Sequence, residues 1–294
     1  MKFRIEHTTQ YRYSQPVTLC HNEAHLRPRD APHQRCDAST VLVEPPPTVQ
    51  QERRDYFGNP VLYFAVQEPH ETLTVRASSV VQLAGHAPGL PESPPWNSVA
   101  QRLVDTPGDA GLEARECCLD SPLVASGSEL ALYAAPSFTP GRPLLEAVYD
   151  LTQRIHGEFI YDPQFTTVTT PLAEVFERRR GVCQDFAHVA IGCLRSIGLP
   201  ARYVSGYLES IPAAGAARRP GADASHAWFA VYDPDLGWLD FDPTNGQIVA
   251  FQHVTTAWGR DYSDVAPLKG VVFGGGHHRL EVAVDVTLEA SSGL

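Results

Sequence analysis

The chain has 294 residues, room for one large domain or two ordinary ones. At 43% hydrophobic and 19% charged it can bury a sizeable core and is not disordered as a whole. A formal net charge of −11 argues against nonspecific nucleic-acid binding, which relies on basic surface, and apolar runs such as VLYFAV at 61–66 are far too short to span a bilayer.

In chain order, the opening MKFRIEHTTQYRYS lacks the apolar stretch and small-residue cleavage site of a signal peptide, so a cytoplasmic protein is the expectation. Phe3, Ile5, Tyr11 and Tyr13 fall on alternate positions, the period of a half-buried strand. Further short strands are predicted at STVLVEP, at YFGNPVLYFAV with its Gly-Asn turn signal, and at TLTVRASSVVQL. Residues 1–90 therefore read as an antiparallel β domain. The proline- and glycine-rich stretch HAPGLPESPPWN at 86–97 reads as a linker, and 91–144 as linker and irregular connection with short helical patterns.

The texture changes at about 145. LLEAVYDLTQRIHGEF repeats Leu145, Val148, Leu151 and Ile155 at helical spacing, and PLAEVFERRR begins a second short helix. Its Arg178, Arg179 and Arg180 read as a solvated helix end rather than a binding patch. The most regular helix follows in GVCQDFAHVAIGCLRSIGLPARY. Phe186, Val189, Ala190, Cys193, Leu194 and Ile197 make one apolar face, and Gly198 with Pro200 stops it.

Six cysteines stand at 20, 36, 117, 118, 183 and 193, with no CxxC pair and no zinc-finger spacing, so free thiols are expected. Cys193 lies on the buried stripe and reads as packing. Cys183 lies off it, at the helix N-terminus, with Gly181 leaving room for close approach. Thiolates are stabilised there by the helix dipole and by unpaired N–H groups, which also suit an oxyanion. On this helix alone, a nucleophile and a gap-filling thiol are equally good readings.

A partner histidine and carboxylate are sought downstream. SHAWFAVYDPDLGWLDFDPTN reads as a hairpin turning at Asp233-Pro234-Asp235. Centred on Pro234, it sets His226 opposite Asp242 on one face; a slip of two leaves them diagonal, and a slip of one separates them. Asp240 shares the face and competes for the role.

GVCQDFAH, ARYVSGYL, SHAWFAVY and GWLDFDPTN, in that order, resemble the core of transglutaminase-like proteins. FRIEHTTQYRYSQPV and GRDYSDVAPLKGVVFGGGHH resemble the bacterial group that carries a β-rich N-terminal region. The resemblance spans nearly the whole chain. It implies an α+β fold, with a papain-like core over 145–294 that includes a C-terminal strand, and a triad of Cys183, His226 and Asp242. The implied chemistry is acyl transfer through a thioester on a protein or peptide substrate, and the triad does not choose between hydrolysis and crosslinking. Hydrolysis (cysteine protease or amidase) is the expectation, since a cytoplasmic crosslinker without an evident prodomain would need some other restraint. The backbone N–H of Cys183 is one expected oxyanion donor, with Gln184 or Tyr161 as the second. Asp185 and His188 are expected to serve structure more than chemistry.

Other motifs carry less. GVVFGGGHH lacks phosphate-binding spacing and reads as a loop before the strand LEVAVDVTL. His277 and His278, like the scattered His21, His25 and His33, show no third metal ligand. No cofactor or metal is called for, and neither nucleic acid nor membrane is an expected partner. The alternative is an inactive member of the same group, serving as a binding or interaction module.

Overall fold

The computed structural model describes residues 1–84, 89–209, 225–249 and 251–289. The first region forms the strands β1 (Lys2–Ala24), β2 (Gln34–Glu44), β3 (Val49–Arg54), β4 (Pro60–Val66) and β5 (His70–Leu83). The stretch read as a linker carries the helices α1 (Trp96–Asp105), α2 (Gly108–Glu116) and α3 (Ser128–Ala134). There follow α4 (Leu144–Glu158), β6 (Ile160–Tyr161), α5 (Leu172–Arg178), β7 (Arg180–Gly181) and α6 (Cys183–Ser196). The remainder is β8 (Ala201–Leu208), β9 (Ser225–Asp233), β10 (Gly237–Asp242), β11 (Gln247–Ile248), β12 (His253–Gly259), α7 (Tyr262–Val265), β13 (Leu268–Gly274) and β14 (His278–Leu288).

Two antiparallel sheets organise the molecule. The N-terminal one runs β2-β5-β1-β4-β3, and both β13 and β14 pair with the long β1. Here the sequence reading needs correction: the C-terminal strands do not stay with the core expected over 145–294. Val284 and Val286 of β14 pair with His7 and Ile5 of β1, almost the full chain length away. The second sheet runs β11-β10-β9-β8-β12, and α6 packs on it through β8 and β9. The connection over 91–144 is also more ordered than expected, because Val99, Val124, Leu130 and Tyr133 join the core beneath α6.

Helix α6 is buried all round from Asp185 to Arg195, not on one stripe only. Its sequence shows one face because the opposite side carries His188 and Arg195, which read as polar but are buried with hydrogen-bond partners, while Gly192 beside them lets Leu130 come close. Cys193 is fully buried in this core, as its position on the stripe predicts.

The two sheets are joined by side chains that imitate backbone. Gln34 donates to the carbonyl of Thr255 (2.7 Å) and accepts from its N–H (2.8 Å). Asn59 does the same at Trp258 (2.8 and 3.0 Å). Each primary amide offers a donor and an acceptor, so the two satisfy the free edge of β12 as a further strand would. Arg29 stacks on Trp258, and His7 meets the Tyr207 hydroxyl at 2.8 Å. Among the described residues, no helix is long and apolar enough to cross a membrane.

Two buried histidines make this fold sensitive to acid. Burial lowers the pKa of His7 and of His188 to about 4. Unfolded histidines titrate near 6.5, so between about pH 6.5 and 4 the unfolded chain holds more protons, and stability falls as pH falls. Each histidine contributes a slope of up to about 1.4 kcal/mol per pH unit. Thermal unfolding followed from neutral pH to about pH 4.5 is expected to show a steep drop in Tm, and His7→Gln to flatten it.

Candidate active site

Cys183 is the first residue of α6, so its backbone N–H has no acceptor within the helix. The preceding turn is held by Asp185, whose carboxylate accepts from the Val182 N–H (2.8 Å) and the Thr166 hydroxyl (2.7 Å). That carboxylate explains Gly181: a Cβ there would lie 2.5 Å from Asp185 Oδ2. The space at Gly181 therefore serves the helix cap rather than an incoming chain. His188 is structural too, its Nε2 accepting from the Tyr262 N–H at 3.2 Å.

The β9–β10 hairpin brings the histidine and the carboxylate together, with its register corrected. Gly237 pairs with Asp233 and Phe241 with Phe229, so the turn is centred on residue 235, not 234. Gly237 has φ +79°, the left-handed residue that closes a three-residue hairpin loop, while Asp233 caps the turn by accepting from Asp235 and Leu236. The shift moves Asp242 two places relative to His226 and preserves the face. His226 Nε2 then donates to Asp242 Oδ2 at 2.8 Å. Asp240 is engaged elsewhere, accepting from Trp228 Nε1 at 3.0 Å.

Charge at this site is one-sided. Burial by itself would lower the His226 pKa, but hydrogen bonds to Asp242 and to the Cys183 thiol outweigh it and raise the pKa to about 10. Burial would raise the pKa of Asp242; hydrogen bonds from His226 and His253 instead hold it far below the usual carboxylate range. An imidazolium thus stands between a thiol and a buried carboxylate.

The profile described as the bacterial transglutaminase-like N-terminal region matches residues 3–82, and that of the transglutaminase-like superfamily matches 133–243. An uncharacterized protein of Mycobacterium tuberculosis is 42% identical over 294 residues, covering 97% of this chain and 92% of its own. The chain belongs to the bacterial transglutaminase-like family. A second relative in Mycobacterium leprae, also uncharacterized, is 34% identical over 97% of this chain and 98% of its own length. The crystal structure of a candidate cysteine protease from Cytophaga hutchinsonii shares the fold, with TM-score 0.74 and 22% identity over 100% of this chain and 92% of that one. Family membership and the α+β, papain-like architecture agree with the reading of the sequence.

The two candidates for a second oxyanion donor fare differently. Gln184 turns its amide toward the Val168 carbonyl at 3.5 Å. Tyr161 pairs with Gly181 through β6 and β7, and partial burial together with charge on nearby Cys183 pushes its hydroxyl pKa up. Arg179 and Arg180 are not a free basic patch: they pair with Glu158 and Asp162.

Two neighbours of the site were not foreseen. Asn245 donates Nδ2–H to Asp242 Oδ2 at 2.7 Å, and its backbone N–H with that of Thr244 donates to Oδ1 (3.1 and 2.9 Å). The other is His253 at the start of β12, whose Nε2 lies 2.9 Å from Asp242 Oδ2. Asn245 stands in the same DPTN run and could have been found from it, since Asp and Asn in a turn bond their own backbone. His253 carries no signal of spacing. Among the described residues, His226, Asp242 and His253 form a group of metal-ligating type, with donor atoms within 4.8 Å of one another. Both imidazoles are already hydrogen-bonded directly to the one carboxylate oxygen, which leaves that oxygen engaged with N–H groups.

Proposed function

We propose that the chain is a thiol-dependent acyl-transfer enzyme acting on carboxamide or amide bonds of a protein or peptide. The observation that carries the reading is the chain of contacts from Cys183 at the start of α6, through His226, to buried Asp242. In the proposed reaction Cys183 attacks the carbonyl carbon as a thiolate, its proton already carried by His226. The oxyanion is held by the Cys183 N–H, with Tyr161, whose hydroxyl feels the charge of Cys183, as the second donor. His226 passes its proton to the departing amine or ammonia, leaving a thioester, and then takes a proton from the water or amine that resolves it. Asp242 holds the imidazole with Nε2–H toward itself, so Nδ1 faces the thiol. Half-buried Cys183 stays open to water, which favours hydrolysis over crosslinking. Six unpaired thiols fit a reducing compartment such as the cytoplasm.

The test is site-resolved alkylation. Burial pushes the Cys117, Cys118 and Cys193 thiols up to about 12, 11 and 12. With iodoacetamide at about pH 6.5, Cys183 is expected to react at least ~10-fold faster than any other cysteine, and His226→Ala to erase the difference. Uniform slow labelling of all six would shift the reading to a binding module. Ammonia release and amine incorporation, measured side by side on a glutamine-containing peptide, then separate hydrolysis from crosslinking.

A further inference from the structure

We propose that His253 is a positioning residue of this site, holding the Asp242 carboxylate in the orientation that serves His226. The inference rests on the triad reading above and adds a residue from a different strand to it.

Asp242 is fully buried and receives five hydrogen bonds, two of them from imidazole nitrogens at 2.8 and 2.9 Å on the same oxygen. The contacts from Thr244 and Asn245 all come from the turn that follows Asp242, and they move with it. His253 alone approaches from β12, on the far side of the sheet order from β10. Its ring packs edge-on against Trp228 at 5.0 Å between centroids, and lies 5.8 Å from His226. The three rings form one cluster, with both imidazoles on the carboxylate. Strand β12 is itself anchored by Gln34 of β2 and by Asn59 in the turn before β4, so this contact is fixed by a different part of the chain from the hairpin.

The other ring nitrogen argues against a purely structural role. His253 is 2% exposed, and its Nδ1 has no hydrogen-bond partner among the described residues. A buried, unsatisfied ring nitrogen opposes folding, and an aliphatic side chain in this packed place would avoid it. What the histidine supplies that an aliphatic cannot is one N–H aimed at Asp242 Oδ2. Partners of this kind, which orient a group that touches the reacting atoms, typically change activity 10–100-fold when lost.

The experiment compares wild type, His253→Leu and His253→Gln by the iodoacetamide rate at Cys183 and by thermal unfolding. His253→Leu is expected to lower the rate about tenfold at about pH 6.5 and to leave it unchanged at about pH 9, where a thiol ionises without an imidazolium's help. Its Tm should equal or exceed that of wild type. His253→Gln, whose amide N–H reaches nearly where Nε2–H stood, should restore most of the rate. A wild-type rate in a folded His253→Leu protein, or equal losses at both pH values, overturns the proposal while the triad stands. Absence of any His226-dependent rate in wild type overturns both.

Discussion

Alanine at position 183 is expected to abolish acyl-transfer activity, with kcat falling at least ~10⁴-fold, and to change stability by no more than about 1 kcal/mol. Cys183 is half-buried at the first position of α6, and the cap that starts the helix belongs to Asp185, not to the thiol. Loss of the sulfur therefore removes the nucleophile without exposing a backbone group. Alanine at position 193 should do the reverse. That sulfur is fully buried against the core, so its loss leaves a small void and costs about 1 kcal/mol or somewhat more, with activity retained in the folded fraction. Product release and urea unfolding, measured on both variants, check the pair. Equal activities would mean that the chemistry does not pass through Cys183.

Asp242→Asn should lower kcat about 10³–10⁴-fold, whereas Asp240→Asn should stay within about threefold of wild type. At position 242 the amide can keep accepting from Thr244 and Asn245 through its oxygen, so the turn survives. Its NH2 group would then face the Nε2–H groups of His226 and His253, donor against donor. His226 can relieve this by giving up its Nε2 proton and keeping the one on Nδ1, which leaves a neutral ring where an imidazolium stood beside the sulfur. At position 240 an asparagine oxygen still accepts from Trp228 Nε1, and nothing in the site changes. The pH dependence should follow: without the buried carboxylate, the support that raises the His226 pKa to about 10 is lost, and activity should fade at lower pH than in wild type. A comparable loss in Asp240→Asn would place the hairpin in another register.

That register shows how far local pattern reaches. Parity was readable, because alternating aromatic and polar residues decide which side chains share a face. The offset of two was not, because it depends on whether the loop closes at Leu236 or at Gly237, and only Gly237's left-handed φ decides it. Asp185 reads from the sequence as serving structure more than chemistry, and it caps the helix, but the reason Gly181 precedes Cys183 lies in the carboxylate that occupies the space.

The amino-acid sequence by itself determined the first half of β1, the strands β2, β4 and β5 though not β3, the helix beginning at Cys183, the hairpin carrying His226 and Asp242, and, through its motifs, the family. These are written in repeats of two, three and four residues and in turn chemistry, which act over distances a short stretch can encode. Tertiary structure alone decided the return of β14 to β1, the seating of Gln34 and Asn59 on the edge of β12, and the placement of His253 beside Asp242. Each joins parts of the molecule that no periodicity relates. A side chain on β12 meets one on β10 only because β8 and β9 lie between the two strands and a second sheet braces the far edge, and that arrangement is a property of the packed whole.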